Sequence, residues 1–111
     1  MSTAPTPAYT MVHAKVKNHE EFRQRYGKFV RPMFEKFGAQ LIAGSPTPKV
    51  VEGSWAGNWA AVIRFPSMAV AEAWYNSPEY QPMKDLRINE LTEGGTSVVF
   101  VEEFSPDAPG R

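Results

Sequence analysis

His13, Arg64 and Arg87, set among an unusual density of aromatic rings, are the side chains with which this sequence can do chemistry. His13 lies in YTMVHAKV, residues 9–16, a run rich in strand formers. Its imidazole can act there as a base or a ligand; the plainer alternative is a hydrogen-bonded sheet histidine. His19 opens a helix and is expected at the surface. The two histidines lack the H-x-x-x-H or E-x-x-H spacing that puts two ligands on one helix face, so no metal is expected. With no cysteine there is no thiol nucleophile, disulfide or thiolate metal site. No cofactor is expected either: no haem ligand can be assigned, and neither G-x-G-x-x-G nor G-K-[ST] is present to cradle a phosphate. Ser67 and Ser77 lack the context of a nucleophile elbow and are better placed as helix caps.

Arg87 is more informative. Tyr80, Met83, Arg87 and Leu91 share one helix face, so a guanidinium falls in an apolar stripe and needs an acceptor. It can clamp a substrate carboxylate, or it can form an internal salt bridge, with Glu52 as the long-range partner. Trp55, Trp59, Trp74, Tyr75 and Tyr80 can wall a pocket for a flat apolar ligand, or can be core or interface. The expected site therefore has His13 and Arg64 as catalytic groups and Trp55, Trp74, Tyr80 and Arg87 as substrate-binding groups. All would meet in a cleft between sheet and helices.

The elements that position these groups follow from two periodicities. Strands are expected over Tyr9–Val16, Gln40–Gly44, Trp59–Phe65 and Thr96–Phe104. Asn18 and Glu21 have the spacing of a variant capping box, opening a first helix from His19 to Phe37. Its apolar stripe is Phe22, Tyr26, Phe29, Val30, Met33 and Phe37. Pro32 should kink it and Gly38 should end it. Ser67 caps a second helix, thin with Ala69, Ala71 and Ala73. Ser77 and Pro78 restart it, with an irregular turn at Pro82, and Gly94-Gly95 breaks it near Leu91. The order β-α-β-β-α-β is the ferredoxin-like split arrangement. It predicts an α+β fold with a four-stranded antiparallel sheet and both helices on one face. Residues 1–8 read as a flexible N-terminal segment, 9–104 as a single domain and 105–111 as a C-terminal tail.

A chain of 111 residues with formal net charge zero shows no electrostatic footprint for nucleic acid. No apolar run approaches the roughly 20 residues that span a bilayer, and the N-terminus lacks a secretory pattern, so a cytoplasmic location is expected. Strands three and four are apolar on both faces, yet two helices can cover only one. Leaving each large apolar side chain wet forfeits roughly 1.5–3 kcal/mol, against a total stability of about 5–15 kcal/mol. A second copy packed sheet against sheet, a homodimer, resolves the deficit; the alternative is a monomer whose arm, residues 45–58, folds over the open face.

Four strings follow one another in order: E-G-x-W (Glu52, Gly53, Trp55), F-P-S (Phe65, Pro66, Ser67), A-x-x-W-Y-x-S-x-E-Y (Ala71, Trp74, Tyr75, Ser77, Glu79, Tyr80) and L-R (Leu86, Arg87). Together they resemble the domain-of-unknown-function family thirteen-thirty, over roughly Tyr9 to Glu103. The resemblance implies a ferredoxin-like unit paired as a dimeric α+β barrel. It also favours the Glu52–Arg87 salt bridge, because E-G-x-W and L-R travel together. Arg64 departs from the family, which usually has a carboxylate there, as do Gly38-Ala39 and Pro82. The superfamily holds cofactor-free monooxygenases, isomerases, haem-degrading enzymes and stress-related proteins, a spread that is analogy at the level of fold. The expectation is a cofactor-free enzyme of oxygenase or isomerase type, or a binder of a small apolar or aromatic compound. The alternative is a non-catalytic dimeric structural, stress-related or regulatory module, which would have a closed core and no ligand-sized cavity.

Overall fold

Runs rich in β-branched and aromatic residues form the strands, and the computed structural model describes residues 5–105. The expected N-terminal segment therefore lies outside the described residues up to residue 4, and the expected tail does so beyond Ser105. Strands β1 (Ala8–Val16), β2 (Gln40–Ser45), β3 (Trp59–Phe65) and β4 (Thr92–Glu102) form one sheet in the order β2-β3-β1-β4. All three pairings are antiparallel. This is the predicted ferredoxin-like α+β architecture. Register sorts the side chains: Thr10 lies opposite Ile63 and Phe100, and Val12 opposite Ala61 and Val98, all on the face that meets the helices. Tyr9 opposite Arg64, Met11 opposite Val62 and Val99, and His13 opposite Ala60 and Ser97 lie on the other face. The pairing of β2 with β3 shifts between Leu41 and Ala43, leaving Ile42 as an exposed extra residue on the edge strand.

The first helical stretch is capped as its sequence predicts, with the Asn18 side chain accepting from the Glu21 N–H at 2.8 Å. It is not one uniform helix. α1 (His19–Phe22) and α2 (Lys28–Lys36) are joined end to end by a π turn, Arg23–Gly27. A π turn takes more residues per revolution than an α turn. The inward stripe therefore advances in steps of four, Phe22, Tyr26, Val30 and Phe34, and Phe29 is turned out to solvent. This corrects the expected stripe, which included Phe29 and omitted Phe34. Pro32 is accommodated inside α2, on its exposed side. Gly38 ends the stretch with φ of 68°, a left-handed value that only glycine adopts freely.

The second helical stretch begins at α3 (Met68–Tyr75), where the Ser67 hydroxyl accepts from the Val70 N–H at 3.1 Å. The restart falls later than predicted. Ser77 to Tyr80 form a turn, and α4 (Gln81–Leu86) places Pro82, not Pro78, in the first turn, where a missing N–H costs nothing. Ser77 donates to the Trp74 carbonyl at 2.8 Å instead of capping α4. A second π turn, Arg87–Leu91, follows α4 and leads straight into β4. Gly94-Gly95 therefore does not separate helix from strand. Gly94, with φ of 68°, lies inside β4 where its register with β1 slips between Ala14 and Lys15.

The core centres on Trp74, whose ring lies 4.3 Å from Tyr80, 5.4 Å from Phe65 and 5.6 Å from Phe34. Val30, Ala39, Ile63 and Ala71 complete that cluster, and Phe22, Val16, Ala14 and Leu91 form a smaller one. Among the described residues no helix is long and apolar enough to cross a membrane.

Candidate functional site

Between the first helical stretch and the sheet runs a cleft of about 660 Å³. Its roof is Phe22, Tyr26, Val30 and Phe34; its floor is Val12, Trp59, Ala61 and Ile63. Both halves follow from the folding already described: the four-residue stripe points down and the even-numbered face of β1 points up. Leu41 and Pro46 border the cleft on the side of the edge strand β2. A cavity of this size falls in the usual range for small-molecule sites.

Arg87 lines the same cleft and is only 3 % exposed. It is the first residue of the second π turn, and Thr92 donates its hydroxyl to the Arg87 carbonyl at 2.8 Å, fixing the turn's end. Among the described residues its guanidinium forms no ion pair, and its Nη2 is buried with no hydrogen-bond partner. Glu52 lies exposed on the arm after β2, so the expected Glu52–Arg87 salt bridge does not form. What faces Arg87 instead is a pair of phenols. Tyr26 and Tyr80 share a hydrogen bond of 2.6 Å between their hydroxyls. Burial disfavours the Arg87 charge, but the oxygens of Tyr80 and Tyr26, with a smaller part from Tyr75, outweigh it and hold its pKa above the ordinary guanidinium value. Tyr26 moves well above the ordinary phenol range, first through burial and then through Tyr80, with Arg87 opposing. Both shifts act in one sense, keeping the Arg87 guanidinium charged and the Tyr26 phenol protonated.

The residues expected to form one site are divided between the two faces of the sheet. Arg87, Tyr80 and Trp74 lie on the helix side, Trp74 and Tyr80 within the core cluster. His13 and Arg64 lie on the opposite face, because β1 and β3 alternate and each is an odd step from the inward residues. The expected cleft combining His13, Arg64 and Arg87 is thus not built. Trp55 joins His13, donating its indole N–H to His13 Nδ1 at 3.1 Å with the rings edge to face at 5.1 Å. In that contact Nδ1 is the accepting ring nitrogen. Gly57 makes the contact possible: a Cβ there would approach Trp55 to 2.4 Å. Asn58 pins the end of the arm, bonding both the N–H and the carbonyl of Val16 at 2.6 and 2.9 Å.

Tyr26 is the site residue not singled out from sequence. Its signal was present: it is the one hydroxyl in an apolar stripe, and buried hydroxyls need partners for the same reason that Arg87 does. Both Tyr26 and Arg87 lie in π turns, a local geometry often found at functional positions.

Residues 7–104 match the model of a family described as "Domain of unknown function (DUF1330)". Among solved structures, the chain is similar to a protein of unknown function from Rhodopseudomonas palustris. The TM-score is 0.73 at 15 % identity, covering 91 % of this chain and 85 % of that one. It is also similar to the methylated form of that protein, with a TM-score of 0.73 at 14 % identity, covering 94 % of this chain and 85 % of the other. At such identities the likeness is one of fold alone. No curated protein matches the chain.

Proposed function

The chain belongs to the DUF1330 family, whose description assigns no activity, and from that premise we propose that it binds a small, flat, largely apolar molecule in the cleft beneath its first helical stretch. The observation that carries the proposal is the cavity of about 660 Å³ walled by Phe22, Tyr26, Phe34 and Trp59. A cleft of that size, walled largely by rings, can cover most of the surface of a small apolar ligand. Such a cleft suits cofactor-free isomerase or oxygenase chemistry, in which negative charge grows on the substrate and fixed donors meet it out of water. Arg87 and Tyr26 are the donors placed for that task. A cytoplasmic location goes with the proposal, since a chain without cysteine gains nothing from an oxidising compartment.

A second copy of the chain completes the proposal as its partner. Met11, Val99 and Val101 on the outer sheet face are 46 %, 50 % and 40 % exposed. The arm covers only the His13 end of that face, and its own Val51 is exposed. Sedimentation at micromolar concentration should give a dimer, and Met11→Lys with Val99→Lys should give a folded monomer; a wild-type monomer would remove the partner from the proposal.

Thermal shift against small aromatic acids, lactones and quinones tests the binding. A ligand at a hundred times its Kd adds about 2.7 kcal/mol of stability, and the shift should vanish in Ala61→Trp, which fills the cleft floor. A flat response across the panel would leave a non-catalytic dimeric module as the account of this chain.

A further inference from the structure

We infer that the cleft is built for an anion: a monocarboxylic acid with a flat apolar body, its carboxylate meeting Arg87 and the Tyr26 hydroxyl. The inference rests on the cleft being a ligand site and adds the class of ligand.

Three observations converge. First, Arg87 is a cation held inside the protein without a counterion among the described residues, and its Nη2 has no hydrogen-bond partner. A guanidinium cannot escape this situation by losing its proton, as a lysine can. A carboxylate offers the planar pair of acceptors that a guanidinium fork fits. Second, the hydroxyl pair has a hydrogen to spare. The guanidinium only donates, so the phenol oxygens facing it accept. Of the two hydroxyls, 2.6 Å apart, only one hydrogen is used between them. With Tyr80 donating to Tyr26, the Tyr26 hydrogen is the one left for an acceptor in the cleft, which Tyr26 lines. Third, the lining carries Arg23, Lys28, Arg31 and Arg87 against Glu20 and Glu35, in a chain whose formal net charge is zero. Arg23 is paired with Glu20, but Lys28 and Arg31 form no ion pair among the described residues. Cations at the rim draw an anion towards the one inside.

The two π turns tie these observations together. One carries Tyr26 and the other begins with Arg87, and Arg25 of the first reaches Glu90 of the second at 3.0 Å. The spacing between hydroxyl and guanidinium is thereby held from outside the cleft.

The test compares acids with neutral molecules of nearly the same shape: benzoate with benzamide, and 2-naphthoate with 2-naphthamide, by calorimetry on the full chain. At least one acid should bind tenfold or more tightly than its amide. The acid's advantage should fall to about one in Arg87→Met, and in part in Tyr26→Phe, which keeps the ring and loses the hydrogen. Equal binding of acid and amide by the wild type overturns the anion inference while leaving the cleft as a site for neutral ligands. Binding of neither overturns both. Acid binding that survives in Ala61→Trp places the anion outside the cleft and overturns the inference on its own. The comparison within the wild type decides the matter even if Arg87→Met does not fold.

Discussion

The two faces of the sheet are made by the same strands and have opposite character. The helix side is packed with aromatic rings and holds a cation with no counterion among the described residues. The outer side is open and apolar along Met11, Val62, Val99 and Val101, with polar contacts towards its ends, His13 with Trp55 and Tyr9 with Glu103. In a strand, adjacent residues belong to different environments. His13 is a neighbour of Val12 and Ala14 in sequence and is separated from Arg87 by the thickness of the sheet. The lesson is that residue types which look like one catalytic set can be sorted into two regions by a single step of register.

That contrast can be broken by substitution, beginning with its largest expected consequence. Trp74→Ala removes the centre of the inner core and should cost about 3–5 kcal/mol, read by urea or thermal unfolding. Loss of less than about 1 kcal/mol would mean that the helix side is not the main core. On the outer face Gly57→Ala is the sharper probe. Its new Cβ collides with the Trp55 ring, so Trp55 should leave His13 at a cost of about 1–3 kcal/mol. The Trp55 fluorescence, isolated by Trp59→Phe and Trp74→Phe, should shift with it. Unchanged emission and stability would show that the arm is not held by that contact.

A smaller effect of opposite sign is expected inside. Thr10 is fully buried on the helix side and its hydroxyl has no partner among the described residues. Thr10→Val removes an unsatisfied polar atom and should stabilise the protein by about 1 kcal/mol, or roughly 4–8 °C in Tm for a domain near this size. A loss of stability would reveal a partner for that hydroxyl. The smallest difference is the pH-dependent part of Tyr26→Phe, read as a change in slope at high pH beyond the fixed cost of leaving the Tyr80 hydroxyl without its partner. The folded state raises the Tyr26 pKa, so its contribution is complete below the ordinary phenol value of about 10. It is lost as pH rises from there through the folded value. Wild-type Tm should fall more steeply than that of Tyr26→Phe above about pH 10, and parallel curves would remove the buried phenol as the cause.

Much of the fold was legible because it depends on short-range rules. Asn18, Ser67 and Gly38 act where their chemistry places them, whereas WAAVIRF is apolar on both faces and only its pairing with β1 shows which residues meet the helices. The site was legible only in part. Arg87 stood out as a charge in an apolar stripe, and it is indeed buried. Its supposed partner Glu52 was not testable from spacing, since the distance between an arm and a helix is set by tertiary packing. Phe34 and Phe29 exchanged roles because a π turn advances the register of a helix by part of a residue, and no residue type announces it. Gly94-Gly95 looked like punctuation and proved to be a slip within a strand, a distinction made by pairing with β1.

The extra residue at Ile42 has a consequence for how copies of this chain can meet. A regular edge strand invites an unlimited ribbon, each molecule adding its own strand to the last. With one residue out of step, and Pro46 and Pro48 just beyond, β2 offers no clean ladder of donors and acceptors to a newcomer. Growth along that direction is discouraged, so β2 is a poor seed for a fibre.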